Sequence, residues 1–131
     1  MTTNSSTSSA HAASVYAQTH IEHAPPVKLV RLLYQGAIRF IDSAAECEPG
    51  AHGSKFDYWL GRADEIVLEL RISIEPTHAP ELAANLRDLY LFVELALARA
   101  RKERSAEPLP GARAVLTRLL EAWTSIDTTG V

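Results

Sequence analysis

Three breaks in the helical pattern constrain this chain more than any other feature. Glu48-Pro49-Gly50-Ala51-His52-Gly53, Glu75-Pro76-Thr77-His78, and the stretch from Ser105 to Gly111 with Pro108 and Pro110 combine helix-stopping and turn-forming residues. Between and beyond them lie four segments of similar length whose apolar residues recur at helical spacing. In the first, from about Val27 to Cys47, Lys28, Arg31, Gln35, Arg39, Asp42 and Glu46 trace one narrow polar stripe. Leu29, Val30, Leu32, Leu33, Tyr34, Ala37, Ile38, Phe40, Ile41, Ala44 and Ala45 fill the rest, a wider apolar surface than a helix against one core needs.

The second segment opens at Ser54, an N-cap candidate with Asp57 three residues on, and carries Phe56, Trp59, Leu60, Ala63, Ile66, Val67, Leu70 and Ile74 on one stripe. Leu68 to Ile74 also alternates strictly, as a strand would, but no other run offers it a partner, so a helix is expected. That leaves Leu68 and Ile72, one turn apart, off the stripe. The third segment, about Pro80 to Arg104, repeats Leu82, Leu86, Leu89, Tyr90, Val93, Ala96, Leu97 and Ala100, with Leu91, Phe92 and Leu95 in surplus. In the fourth, Gly111 to Ile126, Val115, Leu116, Leu119, Leu120, Trp123 and Ile126 make one ordinary stripe.

An all-α antiparallel four-helix bundle is the simplest packing of such segments, as a single domain over residues 14–131. A length of 131 residues fits one core. Residues 1–13, small and polar, are expected to form a flexible, disordered N-terminal tail. The bundle hides one stripe per helix, so the surplus on the first three must be covered by the chain itself or by another protein.

Little in the sequence points to chemistry. Glu75-Pro76-Thr77-His78 has the Glu-x-x-His form of di-metal bundles, but Pro76 places it in a loop, no second copy exists, and the apolar stripes hold no inward Glu. His20 and His23 lack a third ligand, and surface histidines before Pro25 and Pro26 are the plainer reading. Cys47 cannot pair within the chain and has no activating motif, so it reads as a helix-end residue in a reducing compartment. Arg99, Arg101, Lys102 and Arg104 complement a helix C-terminus. A net charge of −3 gives no bulk attraction to nucleic acid or anionic lipid. The expectations are no catalytic residue, no metal, no cofactor, no nucleic-acid partner, no membrane insertion and a cytoplasmic protein.

Leu33-Tyr34-Gln35-Gly36-Ala37-Ile38-Arg39-Phe40, preceded by Tyr16 and the prolines, resembles the flagellin-specific secretion chaperones of the FliS-like family. Ala84-Asn85-Leu86 with Leu89-Tyr90, and Leu120-Glu121-Ala122-Trp123, are similar to two further segments of that family. The resemblance covers about residues 14–127. It departs at Pro25, where a capping Ser is usual, at Gln35, where Asp is usual, and at Tyr90 to Leu95, which lacks an Arg pair. The resemblance implies a helical bundle that binds the disordered C-terminal segment of flagellin in apolar grooves, preventing premature polymerisation and keeping it competent for export. The flagellar export apparatus is a second implied partner, and the chain is expected to be a monomer or weak homodimer. Partner contact is expected at Tyr16, Leu29, Leu33, Tyr34, Gly36, Ile38, Phe40, Leu68, Ile72, Leu86, Tyr90, Leu91, Phe92 and Leu95, with the Tyr16 segment as a self-cap of the groove. For Gly36, whose helical cost is about 1 kcal/mol against Ala, close packing inside the bundle competes with partner contact. An adaptor or homodimer using the same apolar faces is the alternative.

Overall fold

The computed structural model describes residues 26–74 and 79–128, which form four helices: α1 (Pro26–Ala45), α2 (Lys55–Ile72), α3 (Pro80–Glu103) and α4 (Leu109–Thr128). Tyr16, the tail, the histidines at 20 and 23 and the Glu75–His78 motif lie outside the described residues. The helices form a ring in which α1 packs on α2 and α4, and α3 packs on the same two neighbours, so that α1 and α3 stand on a diagonal. Pairings across the seams show the antiparallel sense. Asp42 meets Arg113 while Tyr34 meets Trp123 on α1 and α4, and Asp57 meets Arg101 while Arg71 meets Glu94 on α2 and α3.

Local sequence accounts for the ends of α2. Ser54 caps it, its hydroxyl accepting from the Asp57 N–H at 3.1 Å, and the Asp57 carboxylate in turn accepts from the Gly53 N–H. Gly53 holds a φ of +92°, a region that favours glycine. The stretch that alternates like a strand stays helical to Ile72, where the Ser73 hydroxyl donates to the Glu69 carbonyl. Pro80 occupies the first turn of α3, and Arg104, in the left-handed region, ends it. The last helix starts at Leu109, two residues earlier than its apolar pattern suggests, because Pro110 fits a first turn where no intrahelical N–H is needed.

The core is built from Tyr34, Ala37, Ile38 and Ile41 of α1, Phe56, Leu60, Ala63, Val67 and Leu70 of α2, Tyr90, Val93, Leu97 and Ala100 of α3, and Leu109, Ala112 and Leu116 of α4. Two stripe residues of α3 do not join it. Leu82 is 56% exposed, because α3, at 24 residues against 18 for α2, extends beyond its neighbour, and Leu89 lies at the stripe's edge. Glu69 is buried, although the sequence reading allowed no inward glutamate. It falls between the core positions Val67 and Leu70, off their common stripe.

Candidate functional site

Side-chain polar groups of three helices meet at a node inside the bundle. Trp123 donates its indole N–H to the Tyr34 hydroxyl at 2.9 Å, and the Tyr34 and Tyr90 hydroxyls share a short hydrogen bond across the diagonal. Burial raises both phenols above the ordinary tyrosine value, Tyr90 the more strongly. Three helices are thereby joined through polar tips that all face inward. Beside the node an apolar cavity of about 240 Å³ opens at one end of the bundle, lined among others by Val30, Leu70, Leu82, Leu86, Tyr90 and Trp123.

The outside of α2 and α3 differs in character. Their seam is closed by two ion pairs: Arg71 holds Glu94 through both carboxylate oxygens, at 2.6 and 3.3 Å, and Arg101 holds Asp57 at 2.8 Å. Arg101 reaches Asp57 across Gly61, where an added Cβ would lie 3.4 Å from the guanidinium. The Arg101 hydrogen bond, against the cost of burial and aided by the Gly53 N–H, holds the Asp57 carboxyl below its usual range. Asp64, midway between the pairs on α2, has the opposite shift. Desolvation, then repulsion from Glu94 and Glu65, raises its carboxyl despite Arg101 and Arg71 nearby.

Apolar side chains flank this seam in solvent. Leu68 and Ile72 follow Asp64 at successive turns of α2, and Leu91 and Leu95 occupy successive turns of α3 beside Glu94. Leu95 is 69% exposed and Ile72 54%, far more than a satisfied core position would be. Phe92, 49% exposed, continues the apolar surface toward α4, its ring edge 3.8 Å from where a Cβ on Gly111 would lie. With Leu89, the exposed apolar positions wrap roughly 160° of the α3 circumference at 100° per residue.

The residues singled out from sequence therefore separate into two groups. Tyr34, Gly36, Ile38 and Tyr90 are buried inside the bundle, and Leu29, Leu33, Phe40 and Leu86 are half-buried. Gly36 lies against α2, a Cβ there meeting Ile66 Cδ1 at 3.2 Å. Phe40 stacks on Trp59, with ring centroids 5.5 Å apart, and Arg62 covers it at 5.2 Å. Leu68, Ile72, Leu91 and Leu95 are exposed on the outside of α2 and α3, and Phe92 is exposed on the side of α3 that turns toward α4.

Sequence reasoning missed Asp64, whose setting depends on which neighbouring arginines are already engaged across the seam. It also missed Leu82 and Leu89, hidden within an apparently regular stripe. Cys47 donates its thiol to the Ser43 carbonyl at the end of α1. Among the described residues no group of three or more His, Cys, Asp or Glu is placed to hold a metal ion, and no helix is long and apolar enough to cross a membrane.

A family model described as "Flagellar protein FliS" matches residues 8–130. The chain is also 27% identical over 113 residues to the flagellar secretion chaperone FliS of Vibrio cholerae serotype O1 (strain ATCC 39315 / El Tor Inaba N16961), covering 86% of this chain and 82% of that protein.

Proposed function

The chain belongs to the FliS family of flagellar proteins, and on that premise we propose that it is a cytoplasmic, non-enzymatic flagellar secretion chaperone that binds the disordered C-terminal segment of flagellin. One observation carries this reading: the core is complete without Leu68, Ile72, Leu91 and Leu95, which are exposed beside the α2 and α3 seam, and without Phe92, which extends the apolar surface toward α4. A disordered segment with an amphipathic pattern can fold as helix on such a face, burying its own apolar stripe and these side chains together. A covered segment is unable to polymerise through the same stripe and stays unfolded elsewhere for export. Delivery to the export apparatus is the step that follows.

Titration of the purified protein with a synthetic peptide of the flagellin C-terminal segment from the same organism, followed by circular dichroism and calorimetry, tests the proposal. Binding at micromolar concentration with a gain in helicity is expected. No binding and no gain would overturn it. Light scattering after size-exclusion chromatography separates the adaptor reading: a concentration-independent dimer that occludes Phe92 and Leu95 would favour self-association over a free chaperone face.

A further inference from the structure

We infer that Asp64 selects the partner, by pairing with a Lys or Arg that the docked helix carries beside its apolar stripe. The inference rests on the proposed reading of the α2 and α3 face as a helix-docking surface. Asp64 sits at the edge of that face, one turn before Leu68 and two before Ile72, on the seam where α2 meets α3. It is half-buried, and among the described residues it has no hydrogen bond or ion pair. The cations that could neutralise it are engaged elsewhere, Arg71 with both oxygens of Glu94 and Arg101 with Asp57. Glu94 and Glu65 add negative potential at the same place, which Arg101 and Arg71 offset only in part.

A helix laid over Leu68 and Leu91 would cover Asp64 further, removing solvent from a carboxylate that has no direct ion-pair partner among the described residues. Such burial is costly unless the incoming chain brings a positive charge. A Lys or Arg about one turn from an apolar anchor satisfies this, since its aliphatic stem can lie on Leu68 while its head reaches the carboxylate. A segment with an acidic or purely apolar flank would leave the charge stranded, so this one position both favours basic helices and rejects others.

The proposal separates stability from binding. In the free protein the unpaired carboxylate is a burden, so Asp64→Asn should melt no lower than the wild type. It should nevertheless bind the flagellin C-terminal peptide about three- to thirtyfold more weakly at low salt, with a shallower salt dependence. Replacing each Lys and Arg of the peptide by Gln, one at a time, reads the same pair on the unaltered protein, and one replacement should reproduce the loss. That replacement should lose its effect against Asp64→Asn, as a double-mutant cycle requires. Changing the same peptide residue to Glu should restore binding to Asp64→Lys.

Equal affinity of Asp64→Asn and wild type, with no single basic peptide residue sensitive to Asp64, overturns the inference and leaves the chaperone reading standing. A wild-type protein that binds no such peptide overturns both.

Discussion

The node of Tyr34, Tyr90 and Trp123 and the outer face of α2 and α3 are both rich in large apolar side chains, yet they do opposite things with them. At the node, polar tips are turned inward and paired, and the aromatic bodies fill the bundle. On the outer face, Leu68, Ile72, Leu91 and Leu95 flank two ion pairs and a carboxylate, Asp64, that has no ion pair among the described residues, and Phe92 carries the apolar surface on toward α4. The motif residues that carry the family likeness, Tyr34, Gly36, Ile38 and Tyr90, fall almost entirely in the first region. The likeness thus reports the architecture, whereas the exposed Leu68, Ile72, Leu91, Phe92 and Leu95 lie outside its most specific strings.

Breaking the node should have the largest effect on folding. Tyr34→Ala removes a fully buried ring and strands the Tyr90 hydroxyl and the Trp123 N–H, so denaturant titration should show a loss of about 3–5 kcal/mol. Smaller, and located on the seam, is Arg101→Met. It leaves the buried Asp57 carboxylate without its cation, for an expected cost of about 1–3 kcal/mol, and without changing the exposed leucines.

The seam also makes a pH prediction with two signs. Asp57 has a folded value below its unfolded one, so the stability it adds is complete above the ordinary carboxylate value of about 3.9 and is lost as pH falls toward the lower folded value. Asp57→Asn should flatten that acid limb. Asp64 has a raised folded value, so its ionised form costs stability at neutral pH, and the cost is relieved as pH falls through that value. Asp64→Asn should remove this opposite contribution, which thermal melts across pH can resolve.

Gly36→Ala sharpens the comparison from the inside. The added Cβ presses on the flexible tip of Ile66, and helix propensity gains about 1 kcal/mol, so a small net stabilisation is expected by denaturant titration. Leu95→Ser should change stability least, within about 0.5 kcal/mol, while weakening peptide binding about tenfold or more. If Leu95→Ser instead lowers the melting temperature as Tyr34→Ala does, the two regions are one core and the distinction drawn between them fails.

Periodicity and punctuation made the helices legible, since Pro, Gly and Ser54 act through local sterics and capping that a sequence displays directly. The Ser54 cap, the Pro80 start and the helical outcome of Leu68 to Ile74 follow from neighbours in the chain. A surplus of apolar positions was also legible, but its division was not. Leu91 and Tyr90 are adjacent in sequence, and which of them faces water depends on where α2 and α4 pack against α3. Asp64 was wholly illegible, because its isolation comes from Arg71 choosing Glu94 and Arg101 choosing Asp57, partners 23 and 44 residues apart.

Those separations bear on the order in which the ring is made. The seam between α2 and α3 joins consecutive helices, while closing α1 onto α4 requires Asp42 to find Arg113 and Tyr34 to find Trp123, 71 and 89 residues away. On a chain emerging from the ribosome the first three helices are available before α4 is. Loop-closure entropy delays the distant contacts further. Loop-closure entropy therefore favours closing the ring last, with the exposed apolar face of α2 and α3 in place before α4 joins α1.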